Sequence, residues 1–111
     1  MKSAMRSIFH PTGPQTEKDQ EEDLLDLRSF LSVTRITAER CIGTENTVFW
    51  VFDGTNKYGQ PNQIACIKRI VPSDKHGTNW EATYMQNGCA CSRRPTSSLL
   101  QAISWVLNLT A

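Results

Sequence analysis

The sequence predicts an α+β fold: an antiparallel sheet of three to four strands in a meander, with an N-terminal and a C-terminal helix packed on one face as a two-layer sandwich. Three observations lead there. Thr47 to Asp53 reads Thr-Val-Phe-Trp-Val-Phe-Asp, a β-branched and aromatic run closed by Gly54 and Asn56, which is strand chemistry rather than helix chemistry. Helix-period apolar stripes occur only near the two ends of the chain. Between them the apolar segments are separated by polar turns and no helix intervenes, which favours a meander over a parallel sheet.

At 111 residues the chain supports one hydrophobic core. Residues 1–15 include His10-Pro11-Thr12-Gly13-Pro14, which rules out a helix there and predicts a flexible N-terminal arm. Residues 16–111 form the single domain. Thr16 stands before an acidic turn containing Glu17 and Asp19, a helix start with a capping hydroxyl and charges suited to the dipole. Leu24, Leu27, Phe30 and Leu31 follow at helical spacing, so a helix is expected over about Glu17 to Leu31. Its acidic flank reads as a solvated face.

Val33, Thr34, Ile36 and Thr37 are four β-branched residues in five, predicting an extended strand through Cys41 and Ile42, with Ile36, Ala38 and Ile42 on one face. Gly43 to Asn46 then turns into the Thr47–Asp53 strand. On that strand Val48, Trp50 and Phe52 face one way and Phe49 and Val51 the other, so it must be covered on both sides or paired centrally. A polar loop leads to a strand over Gln63 to Val71, and a second, through His76, to a strand over Trp80 to Gln86. There Trp80, Ala82 and Tyr84 alternate with Glu81 and Thr83. Asn87-Gly88 ends this strand. Pro95 is expected in the first turn of the last helix, with Thr96, Ser97 or Ser98 as caps and Leu99, Ala102, Ile103, Val106 and Leu107 as its apolar stripe.

Composition narrows the function classes. Twelve Lys and Arg against eleven Asp and Glu give a net charge of +1, too little for the bulk basic character of most nucleic-acid binders. The opening residues lack an apolar signal-peptide core, and Leu99 to Leu109 is too short and too interrupted to span a bilayer. The expected location is therefore cytoplasmic, with no membrane partner and with Cys41, Cys66, Cys89 and Cys91 reduced.

Neither metal nor catalytic chemistry is indicated, and no cofactor is expected. Cys89-Ala90-Cys91 lacks both the spacing and the second ligand pair of a structural zinc site. No serine sits in a nucleophile elbow. Asp53 and Lys68 lack the second carboxylate that a metal-dependent nuclease would need, because Cys66 stands two residues before Lys68. No Gly-rich phosphate loop occurs. A binding protein is the expectation, with Trp50, Trp80, Tyr84 and Trp105 as anchors for a protein partner. Small size and near-neutral charge suit an accessory or inhibitory protein of the kind that viruses and mobile elements encode to act on a host protein.

The alternative is a nucleic-acid-binding module. Gly59-Gln60-Pro61-Asn62 before a strand, and Gly88 with Ser92-Arg93-Arg94 ahead of the last helix, make residues 19–109 resemble the double-stranded RNA-binding domain family. That family has the order helix, three strands, helix. The resemblance implies a basic phosphate-contacting surface, for which Lys68, Arg69, Lys75, Arg93 and Arg94 are the residues to test. The chain departs from the family in lacking the loop histidine, in carrying Pro95 at the helix start, and in having Leu99 and Leu100 where the family packs paired alanines.

Overall fold

The computed structural model describes residues 15–70 and 77–110. Seven elements follow in order: helix α1 (Glu17–Leu31), strands β1 (Ile36–Arg40), β2 (Val48–Thr55), β3 (Pro61–Arg69), β4 (Trp80–Gln86) and β5 (Cys89–Thr96), and helix α2 (Leu99–Thr110). The strands form one antiparallel sheet in the order β1-β2-β3-β4-β5, the meander expected, with a fifth strand added. Both helices lie on the same face, α1 over β1 and α2 over β4 and β5.

Helix α1 starts as its sequence predicts. Thr16 Oγ1 accepts a hydrogen bond from Asp19 N at 3.1 Å, and Asp19 Oδ2 accepts one from Thr16 N at 3.2 Å, a reciprocal capping box. The stripe turned to the sheet is Gln20, Leu24, Leu27 and Leu31. Phe30, expected in that stripe, is exposed, because the four-three-four spacing running back from Leu31 reaches Gln20 and leaves Phe30 outside the contact arc. Gln15 belongs to the domain rather than to the expected arm: its side chain accepts from Thr47 Oγ1 and donates to Asp23. The remainder of that arm lies outside the described residues.

The core lies between helices and sheet. Phe49, Val51, Ala65, Ile67 and Ala82 supply the sheet side and Ala102, Ile103 and Val106 the α2 side, all essentially without exposure. Phe49 stacks on Trp80 with ring centroids 5.9 Å apart and planes 15° from parallel. The Arg69 guanidinium lies over the other ring system of this pair, 5.5 Å from the Trp80 centroid. The first strand is shorter than predicted. Chain from Ser32 to Arg35 is a turn held by Thr34, and Ile42, expected on the core face, lies beyond the strand end and is exposed.

The largest departure is β5. Asn87-Gly88 does not merely end β4: both residues have positive φ, 51° and 79°, the backbone of a two-residue hairpin turn that matches strand twist. Cys89–Thr96 therefore returns antiparallel along β4, and Pro95 sits in this edge strand, where a missing N–H is tolerated, rather than in a helical turn. The helix begins later, where Ser98 Oγ accepts from Gln101 N at 3.1 Å. A side chain at position 88 would meet nothing within 4 Å, so Gly88→Ala tests conformation alone. It is expected to lower stability by about 1 kcal/mol in urea unfolding, and an unchanged midpoint would contradict the assigned turn.

Candidate functional site

Strand alternation sends half of each strand away from the helices, onto a face that neither α1 nor α2 covers. Across the strands its middle row reads Glu39, Trp50, Cys66, Thr83 and Arg93, each directly paired with the next. The row beside it reads Val48, Lys68, Glu81 and Pro95, and on the other side Phe52 lies between Thr37 and Gln63. With about 4.8 Å between strands, this face is about 20 Å wide. Trp50 stands near its middle and is 42% exposed, flanked along β2 by the half-buried Val48 and Phe52.

The four aromatic residues singled out by sequence separate sharply. Trp80 is a core residue at 4% exposure. Tyr84 and Trp105 pack against the core from β4 and α2 and are half-buried. Trp50 alone of the four is presented on the open face. Val48 and Phe52, beside it on β2, join it on that face. Their share in the site was legible in the alternation with Phe49 and Val51, given that both helices are expected on one face of the sheet.

The basic residues do not gather into one patch. Arg69 is buried under the helices at 7% exposure against Trp80, which removes it from the surface. Lys68 is exposed on the open face, 3.9 Å from Glu81. Arg93 and Arg94 occupy consecutive positions of β5 and so point to opposite faces, instead of lying together at a helix start. Lys75, like Asp74 and His76, lies outside the described residues. The helix, three-strand, helix order implied by the resemblance to double-stranded RNA-binding domains is replaced by helix, five strands, helix.

Charges on the open face are largely matched within the molecule. Glu39 is ion-paired with Arg28 of α1, and Lys68 faces Glu81. Among the described residues no group of three or more His, Cys, Asp or Glu side chains converges as metal ligands. Burial pushes the Cys66 thiol above its usual value; Lys68 opposes the rise, while Cys41 and Glu81 add to it. A thiol with a raised folded pKa keeps its proton when the unfolded chain loses it, so this contribution to stability falls as pH climbs past the ordinary thiol range. Cys89 and Cys91 are exposed. A thiol reagent such as Ellman's at pH 8 is therefore expected to modify Cys89 and Cys91 first and Cys66 last; Cys66 reacting as fast as Cys89 would contradict this burial.

Similarity to known proteins adds no assignment. No protein-family model, curated protein or solved structure matches the chain.

Proposed function

We propose that this chain is a small non-catalytic binding protein that docks on another protein through the open face of its sheet, in the manner of an accessory or inhibitory protein of viral or mobile-element type. The observation that carries the proposal is Trp50, held by a rigid inner strand in the middle of a face without helix cover and bordered by Val48 and Phe52. A large side chain so placed loses little conformational freedom on binding, and buried tryptophans dominate interface energetics. Near-neutrality of the face favours a protein surface over a polyanion.

The test is affinity capture from host extract with the wild-type chain beside Trp50→Ala, with Tyr58→Ala as a control. Tyr58 is exposed in the loop before β3, away from the rows described above. Trp50→Ala is expected to weaken a captured protein partner at least tenfold, in line with a hot-spot loss of about 2 kcal/mol, and Tyr58→Ala to leave it unchanged. Equal capture by all three proteins would sink the proposal.

One observation favours a second reading: Lys68 and Arg93 share the open face with Trp50, the combination of cations and stacking rings used by single-strand nucleic-acid binders. Binding to labelled duplex RNA, duplex DNA and single strands at low and moderate salt separates the two. Binding that falls steeply with salt and vanishes in the Arg93→Glu, Arg94→Glu double variant would replace the protein-docking proposal with a nucleic-acid one.

A further inference from the structure

The two edges of the sheet differ in how their backbone is covered. On β1, Ile36 N donates to Thr34 Oγ1 at 3.0 Å and Ala38 O accepts from Arg28 Nε at 3.2 Å. The same Arg28 guanidinium pairs with Glu39. An incoming strand would have to displace these contacts, so this edge is closed against pairing.

The other edge is open. Every residue from Cys89 to Pro95 is exposed. The hydrogen-bond directions of the sheet fix what this edge presents. Arg69 N donates across to Thr47 O on the β2 side at 2.8 Å, and Ile70 N to Asn79 O on the β4 side at 2.7 Å. Lys68 therefore addresses Glu81, while Trp80, Ala82 and Tyr84 address Thr96, Arg94 and Ser92 of β5. The alternation of an antiparallel ladder then turns the main chain of Arg93 and Pro95 to the free edge. Pro95 brings no N–H there. Arg93 brings both an N–H and a C=O.

Charge points to the occupant. Arg28, Arg35 and Arg40 each pair with a carboxylate, and Arg69 is stacked in the core. Arg93 and Arg94 are exposed and have no carboxylate partner among the described residues. Their side chains leave opposite faces of the strand, so a phosphate chain running over one face would meet only one of them. We infer that β5 is a docking edge for an extended acidic segment of a protein partner, which joins the sheet antiparallel as a sixth strand. Two consecutive carboxylates in that segment alternate between faces as Arg93 and Arg94 do, so each meets one guanidinium while the main chain bonds to Arg93. This inference rests on the reading that the chain docks on a protein, but it uses the backbone edge of β5 and not Trp50; only the Arg93 side chain belongs also to the open face.

The test uses the purified full-length chain and blocked synthetic peptides: acetyl-Thr-Val-Glu-Glu-Val-Thr-amide, its Lys-Lys counterpart, and the Glu-Glu peptide methylated on alternate backbone nitrogens. The Glu-Glu peptide is expected to shift amide resonances of residues 91–95 and to slow hydrogen exchange at the Arg93 amide. The Lys-Lys peptide is expected to bind at least tenfold more weakly, and the methylated peptide not to bind. Arg93→Glu with Arg94→Glu, both at exposed positions, is expected to reverse the preference; if that variant does not fold, the comparison of peptides on the wild-type chain still decides. Equal binding of the Glu-Glu and Lys-Lys peptides would overturn the inference, as would shifts centred on Trp50 and Phe52, or tighter binding of a single-stranded oligonucleotide at residues 91–95. Trp50→Ala, which disables the open face, is expected to leave Glu-Glu peptide binding intact, so failure of one surface is distinguishable from failure of the other.

Discussion

Phe49→Ala is expected to destabilise the domain by about 3–5 kcal/mol. The Phe49 ring has no exposure and stacks on Trp80, which in turn carries the Arg69 guanidinium. Removing it opens a cavity beneath the helices and takes one face of support from Trp80. The surroundings can collapse only in part, because β2 is fixed between β1 and β3 on both sides. A domain of this size has a total stability of the order of 5–15 kcal/mol, so the variant should be close to unfolding at physiological temperature. Urea unfolding followed by tryptophan fluorescence checks this. Phe52→Ala, three residues away on the open face and half-buried, is expected to lose less than half as much. If Phe52→Ala proved the more damaging of the two, the assignment of the two faces of β2 would be reversed.

The contrast between Phe49 and Phe52 also marks how far the sequence could be read. Alternation separated Phe49 and Val51 from Val48, Trp50 and Phe52, and the helical stripes of α1 and α2 supplied cover for a single face. The cap Thr16 was legible, and Ser98 as one of three candidates, because such residues act through local hydrogen bonds. Local chemistry also signalled β5, since Asn-Gly is the preferred pair for a two-residue hairpin turn. The segment after it is polar, basic and rich in exposed positions, with a proline near its end, and looks unlike a strand until its place at an edge is known. The site was less accessible. Which tryptophan is core and which is surface depends on the face each strand turns to the helices, a tertiary choice. Arg69 shows the same limit from the other side: a basic residue in an apolar strand reads as a surface cation, but its place beside Trp80 lets the guanidinium lie flat on the indole.

Arg40 supplies the second large effect, and its size depends on which partner is removed. The Arg40 side chain is 5% exposed at the end of β1, and its guanidinium reaches across to Glu17 and Glu21 of α1, the latter at 2.8 Å. Both carboxylates are well exposed. Replacing Arg40 with Met leaves two glutamates that water solvates fully, and the methionine fills part of the vacated volume with apolar contact. The expected loss is about 1 kcal/mol or less, in keeping with replacement of a buried ionic group by a packed hydrophobe. Replacing Glu17 and Glu21 together with Ala instead leaves a guanidinium below the surface without its compensating charges, and its Nε has no hydrogen-bond partner among the described residues of the intact protein. That double variant is expected to lose about 3 kcal/mol, the lower end of the cost of stranding a buried charge, because the glutamate side of the pair is open to water. Restoring the balance with Arg40→Met in the double-alanine background should then recover most of the loss. Denaturation midpoints of the four proteins form a complete cycle. A larger loss for Arg40→Met alone than for the double-alanine variant would show that the guanidinium is held by its packing and not by its charge.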